Sequence, residues 1–561
     1  MSTNQEDLTQ RPNKTDHDDD IREPFYIYLQ NSELNTNLQK YISAFVQHIA
    51  SILEQDAPNV PKVPLIFDKF VTWKKPSVPS VKEEGPQTVP TILESDYQCT
   101  KYRIDLSRKT TEFTSCRLEN ICINRKGEWL IFTHSKKAQE LSGRSWVYTN
   151  SYYFGSENQM IRVRVLPPPA EVIVNSTTSL KLFNANNENE KHKLEGNITL
   201  SSTFKWISKP TFATSRHESG NIGHALLDNF ILLFNLMFNF GYMNSDSHIL
   251  FMDNLFERLV HNDPVVLSQQ LLKGERATNM SLAWAGILSS NPPLQKCANP
   301  QIGTYIGMAP CLINNEVDPV MIQKHGHEID TCFSSLMAGS TGSLYTVLEG
   351  REMLISLFKK YLFGKLGIKN PNSHKTLTIA VQNKPTNTEH RDSIINVDKI
   401  VTYLKSRQDE LLELVNSQRT QKYENVDIIN LRLEQMSFLD QLQLFNVMDV
   451  YITSQGAASY MSIFLSKPNA IMVYVPMCFV ATKTCSDSNL RIHETFSNVR
   501  VISLLQYTEL LECVVGNTDE GEVGYPVLPD FSYTEDFGDC NERVNPEGLF
   551  HIVGEALSKT L

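Results

Sequence analysis

Short apolar runs separated by polar turns recur through the C-terminal half of the chain. Leu377 to Val381, Val426 to Leu431 and Asp449 to Thr453 are too short for helices and rich in strand-forming residues. Between them, Val397 to Leu404 and Ser437 to Asn446 place apolar residues at helical spacing. After Thr453 comes a small polar turn, Ser454 to Ser459, and then a helical apolar run, Tyr460 to Leu465. Lys467-Pro468-Asn469 ends it before another strand, Ala470 to Val475, and Arg500 to Leu504 offers one more. Strands alternating with helices in this way predict a doubly wound parallel sheet and an α/β fold. Small residues where the strand gives way to the helix let a ligand approach the backbone. The first-turn amides then favour an anion such as a pyrophosphate. The same stretch reads equally as a βαβ crossover without a ligand.

The N-terminal half is less regular. The tail to about Arg22 is polar and acidic, and a helix with an apolar face is predicted from Asn35 to Leu53. The segment Pro58 to Pro90, rich in proline and lysine, reads as a linker. Cys116 and Cys122 flank a predicted short polar loop and could bridge each other or pair with Cys99. Strands are predicted at Glu128 to Thr133, Ile161 to Leu166, Glu171 to Val174 and His248 to Met252, with an exposed loop at Asn184 to Lys193. A helix from Ile222 to about Tyr242 is apolar except for a stripe. Asn221, His224, Asp228, Asn235 and Asn239 succeed one another at steps of three, four, seven and four. His224 and Asp228, one turn apart, fit an oriented acid/base pair or a satisfied buried network. A Gly/Ser/Thr loop, Ala338 to Ser343, precedes a predicted helix from Leu344 to Leu362, and Glu547 to Leu557 closes the chain as a helix. These patterns divide the chain into a tail and stem (1–95), a first lobe (96–365), a second lobe (366–510) and a C-terminal extension (511–561).

Composition narrows the class. A chain of 561 residues with 41% hydrophobic and 20% charged residues can bury two or three cores. A net charge of −11 without a basic block disfavours nucleic acid or an anionic membrane as partner. No membrane span is predicted, since the most apolar stretch, Ala225 to Tyr242, carries Asp228, Asn229, Asn235 and Asn239. Ten scattered cysteines without a CxxC pair disfavour zinc. Their even number, and N-glycosylation patterns at Asn13, Asn175, Asn197 and Asn279, lean toward an oxidising lumen. The acidic N-terminal tail, with no apolar signal core, points instead to the cytoplasm.

Four patterns then stand in a particular order. They are Cys116…Asn120-Ile121-Cys122 before a strand; Asn221-x-x-His224-x-x-x-Asp228; Cys332-Phe333; and a C-terminal run. That run holds Arg391…Ile395-Asn396, Glu434-x-Met436-Ser437-Phe438-x-x-Gln441, Gly456-Ala457 and Phe464-Leu465. From Cys116 to Pro476 this order resembles glycosyltransferase family 61. The resemblance implies a GT-B architecture, with two Rossmann-like lobes facing across a cleft. The first would take a protein or glycan acceptor and the second a nucleotide sugar. It implies an inverting glycosyltransferase of the Golgi or endoplasmic reticulum that uses a UDP-sugar, GlcNAc or xylose, without a metal or other cofactor. Asp228 or His224 would be the base, with Asp228 favoured and Asn221 in support. Arg391, Glu434, Gln441, Gln455, Gly456 and Ala457 would hold the donor.

The chain departs from the family's pattern at two places. Gln455 stands where a histidine is usual; it can donate a hydrogen bond but carries no charge and moves no proton. Gln382-Asn383-Lys384 replaces a basic or serine-arginine step. Both changes fall on the donor side, so a catalytically degenerate member that binds a glycan or nucleotide is the alternative expectation.

Overall fold

The computed structural model describes residues 95–105, 110–124, 127–134, 145–148, 160–166, 172–174, 198–216, 222–242, 246–252, 280–291, 293–295, 328–339, 352–369, 375–385, 392–417, 422–487, 490–494, 499–531 and 538–559. The expected stem and its helix, Asn221, Arg391, the loops at 184–193 and 340–343, Cys297, Cys311 and the four glycosylation asparagines lie outside these residues. The chain divides into two compact units, Met1–Pro58 and Asn59–Leu561, and every described residue belongs to the second.

An eleven-stranded mixed sheet is built from Asp96–Asp105 through Ile329–Gly339. Its two longest strands, Thr110–Asn124 and Ile329–Gly339, run antiparallel at the centre. On one side of Ile329–Gly339, the strands Thr211–Thr214, His248–Phe251 and Leu294–Gln295 are all parallel. Thr211–Thr214, the helix beginning at Ile222 and His248–Phe251 form a βαβ unit, so the helix starts at the carboxyl end of these strands. The polar loop expected between Cys116 and Cys122 is instead continuous strand. Asn120, at φ 53°, absorbs the irregularity, since asparagine tolerates the left-handed region better than most residues. Cys116 pairs with Cys99 directly across the ladder, and Cys122 with Cys332. Cys478–Cys485 and Cys513–Cys540 are likewise disulfides, and all described cysteines are bonded.

The second sheet has five parallel strands in the spatial order Asn425–Leu431, Thr376–Gln382, Val450–Ser454, Ala470–Val475, Val499–Ser503. This is the 2-1-3-4-5 order of a doubly wound sheet, with its switch point between Thr376–Gln382 and Val450–Ser454. Val450–Ser454 and Ala470–Val475 are buried throughout because both faces are covered. Alternate residues separate to the two sides. Val450, Ile452, Ile471 and Val473 pack with Leu404, Leu411, Leu549 and Val553 from the helices Val397–Ser406, Gln408–Asn416 and Pro546–Ser558. Tyr451, Met472 and Tyr474 face the opposite way, into a core with Phe445 of Phe438–Val447 and Phe358 of Glu352–Leu366. Phe230 and Phe234 of the helix from Ile222 belong to that same core, which therefore joins the two sheets.

Local chemistry fixes the ends. Ser437 caps Phe438–Val447 by accepting from the Asp440 amide at 3.2 Å, and Asn545 caps Pro546–Ser558 from Gly548 at 3.0 Å. Below the strands' amino ends, the buried Asp449 carboxylate accepts from Lys467 Nζ (2.6 Å), the Thr378 amide (2.8 Å) and the Tyr423 hydroxyl (2.7 Å). Residue spacing did not signal Gln408–Asn416, nor the two small three-stranded sheets formed by residues between Met477 and Val544. Through one of these, Asn541–Val544 grips the loop after Thr376–Gln382. Glu542 exchanges backbone hydrogen bonds with Ser393 and Ile395, and Asn396 binds both the amide and the carbonyl of Val544.

Candidate anion cradle and histidine–aspartate pair

At the switch point the strand Val450–Ser454 ends in Gln455 and Gly456. Gly456 has φ 127° and ψ −175°, which side-chain-bearing residues rarely adopt. A β-carbon there would lie 3.2 Å from Lys384 Nζ and 3.5 Å from an Asp392 carboxylate oxygen. The backbone thus leaves room where a cation comes close. Lys384 is paired with Asp392 and lies 3.5 Å from the Gln455 carbonyl. Behind this pair sits the fully buried Glu542 carboxyl. Desolvation first, and the nearby Asp392 charge next, push its pKa well up, while Lys384 opposes them. The run after Gly456 is a 3-10 helix, Ala457–Phe464, rather than the α-helix expected from the spacing. Its i→i+3 bonds include the Ser459 amide to the Gly456 carbonyl at 3.0 Å.

Gln455 does not reach outward. Its side-chain oxygen accepts from the Tyr474 hydroxyl at 2.9 Å, and its amide nitrogen meets Met477 Sδ at 3.2 Å. Gln441 spends its amide on the carbonyls of Leu433 (2.8 Å) and Met436 (3.3 Å), pinning the short helix Leu433–Gln435. Glu434, on that helix, is exposed just beyond the carboxyl end of Asn425–Leu431. It stands on the same edge of the sheet as Gly456.

The second group comes from the first sheet's βαβ helix, which is not uniform. Ile222–His224 is α-helical, Ala225–Phe230 is a π-turn and Ile231–Asn239 is α-helical again. Such turns insert a residue into the helix and are frequent at functional sites. Here His224 Nδ1 lies 2.6 Å from Asp228 Oδ2, and the Asn229 side chain donates to the His224 carbonyl at 3.1 Å. Asn235 is buried and Asn239 is exposed. His224 keeps 24% of its side-chain surface exposed and Asp228 only 1%. The imidazole therefore faces outward with the carboxylate behind it.

The two groups touch. A β-carbon on Gly223 would be 2.6 Å from the Tyr460 ring and 3.3 Å from Ala457 Cα. Gly223 thus lets the helix start lie directly on the 3-10 turn, with the acid/base pair one residue beyond. Arg216, buried just after Thr211–Thr214, sits 4.0 Å over the Phe251 ring. In the sequence Lys384 stands out only as part of a departure from a family pattern. Asp392, Glu542, Ser459 and His493 do not stand out at all, because isolated polar residues in loops and short helices leave no periodic signal. Among the described residues, no group of three or more His, Cys, Asp or Glu side chains is placed to hold a metal ion. The helix from Ile222 to Asn239 is long and apolar enough to cross a membrane, but 78% of it is buried within the protein. No known protein family matches the chain, and no curated protein matches it.

Proposed function

We propose that this chain is an inverting glycosyltransferase of GT-B type that uses a UDP-sugar and glycosylates a protein or glycan hydroxyl in the secretory pathway. The observation that carries the reading is the contact of Gly223 with Ala457 and Tyr460, which sets an oriented histidine beside a glycine turn at a sheet switch point. Nδ1–H of His224 donates to Asp228, so the basic lone pair of the ring is the one on Nε2. An acceptor hydroxyl loses its proton to Nε2 as its oxygen attacks the anomeric carbon. The bond from that carbon to the diphosphate breaks on the opposite face, and the configuration inverts. Asp228 stabilises the imidazolium. The resemblance favours Asp228 as base; the greater exposure of His224 supports the other assignment, with His224 as the base and Asp228 its orienter. The diphosphate lies against the amide of Ala457 and meets Lys384. Glu434, exposed on the same edge, reaches the ribose. Eight cysteines in four disulfides favour the lumen over the cytoplasm.

The test is incubation with a panel of UDP-sugars, scored for transfer and hydrolysis. His224→Gln and Asp228→Asn should each lower turnover by about 10²–10⁴-fold and leave UDP affinity within a few-fold. A second reading is a binding protein without turnover. The engagement of Gln455 with Tyr474 and Met477 favours it, because the side chain standing at the usual histidine's position is uncharged and held by the protein itself. UDP binding with no turnover of any sugar selects that reading.

A further inference from the structure

Beneath the glycine turn lies His493, on the short helix Leu490–Glu494 and wholly buried. Its ring stacks against Tyr460 at 5.1 Å and lies 5.4 Å from Tyr474. Nε2 is 3.1 Å from the Ser459 hydroxyl and Nδ1 is 3.2 Å from the Ser462 hydroxyl. Proton bookkeeping selects one arrangement of these bonds. Ser459 Oγ is 2.7 Å from the Gly456 carbonyl, which can only accept, so the single hydroxyl proton goes there. The hydroxyl must then accept from His493, so Nε2 carries the ring proton. Nδ1 is bare and accepts from Ser462. Burial keeps the ring neutral by lowering its pKa to about 3.

The chain of bonds ends on the Gly456 carbonyl, and the peptide plane gives that end a consequence. In a trans peptide the carbonyl of Gly456 and the N–H of Ala457 point in opposite directions. Holding the carbonyl inward therefore aims the Ala457 N–H outward. The carbonyl also accepts the Ser459 amide at 3.0 Å, so the hydroxyl adds a second bond that steadies a peptide which glycine at this φ leaves easier to rotate. We propose that His493 is the positioning residue of the anion cradle, acting through Ser459 to fix the direction of the Ala457 amide. The proposal rests on the reading of the Gly456 turn as the diphosphate site.

Two neighbouring serines separate positioning from mere support. Ser459→Ala and Ser462→Ala each remove one hydroxyl that the same ring binds, and each should lower thermal stability by a similar amount. Only Ser459 reaches the Gly456 carbonyl. In calorimetric titrations of the full chain, Ser459→Ala and His493→Phe should weaken UDP by about tenfold. Ser462→Ala should change it by less than about threefold, and His493→Gln, which keeps an N–H donor, should recover most of the loss. Equal effects of the two serine variants, or parental affinity in His493→Phe, would overturn the proposal. Amide hydrogen exchange at Ala457 reads the same geometry without a ligand. Faster exchange in Ser459→Ala and His493→Phe, but not in Ser462→Ala, supports the splint even if the parent binds no UDP and the functional reading fails. Equal exchange in all three overturns it.

Discussion

Adding a single methyl group at Gly223 tests the contact on which the functional reading depends. The new carbon would lie 2.6 Å from Cδ2 and 3.0 Å from Cε2 of Tyr460, and 3.3 Å from Ala457 Cα. Carbon atoms pack at about 3.5–4.0 Å, so the helix start and the 3-10 turn must separate by about 1 Å. The ring cannot simply turn aside, because it is stacked on the buried His493. Overpacking of this kind costs about 1–3 kcal/mol. Urea denaturation of Gly223→Ala should show that loss with an unchanged slope. Tyr460→Leu, combined with Gly223→Ala, should recover part of it, giving a coupling of about 0.5–3 kcal/mol. If the proposed activity holds, a displacement of about 1 Å between base and donor should lower turnover by about 10²-fold. UDP affinity should change much less, since the donor cradle stays with its own element. A Gly223→Ala variant as stable as the parent, with no coupling to Tyr460, would refute the close approach.

Lys467→Met should cost about 3–5 kcal/mol, because it leaves the buried Asp449 carboxylate with two neutral donors and no countercharge. Lys375→Met, on the exposed pair with Glu424, should cost less than about 1 kcal/mol, and similar costs in chemical denaturation would contradict the distinction. His493 adds a pH dependence of defined sign. Its pKa is lowered from 6.5 to about 3, so the unfolded chain binds a proton across that window and the folded chain does not. Stability due to His493 should therefore fall on acidification by about 1.4 kcal/mol per pH unit below pH 6.5. Glu542, whose pKa is raised, acts with the opposite sign above pH 4.5. It cancels in the difference between the parent and His493→Phe, which should shrink from pH 6.5 to about pH 4; a constant difference would count against it. Finally, Cys122–Cys332 closes a separation of 210 residues and Cys478–Cys485 one of 7. Loop entropy makes the first worth about 5 kcal/mol and the second about 2 kcal/mol. Serine replacement of each pair, followed by thermal denaturation, should reproduce that order.

The regular part of this fold was readable because its periodicity is strong. Ile452 and Val473 lie in runs too short and too apolar for anything but buried strands, and the five-stranded sheet follows them closely. The first sheet was harder to read. Thr110–Asn124 alternates only weakly, and Cys116 to Cys122 looked like a loop because Asn120 and Glu119 interrupt its apolar residues. The candidate site was legible in part. The spacing of His224 and Asp228 signalled their pairing, but the exposure of the first and the burial of the second are not shown by any spacing rule. Gln455 and Gln441 carry the right chemistry for a ligand, yet both spend their amides on the protein itself. His493 left no signal, since its meaning lies in contacts 31 and 34 residues away along the chain.

A structure of the full chain with UDP bound would decide between these readings of the glycine turn. The diphosphate should lie on the Ala457 amide, with Lys384 drawn from Asp392 toward it and His224 Nε2 facing the open side. A diphosphate bound away from Gly456, or a His224 ring turned from it, would contradict the proposed site.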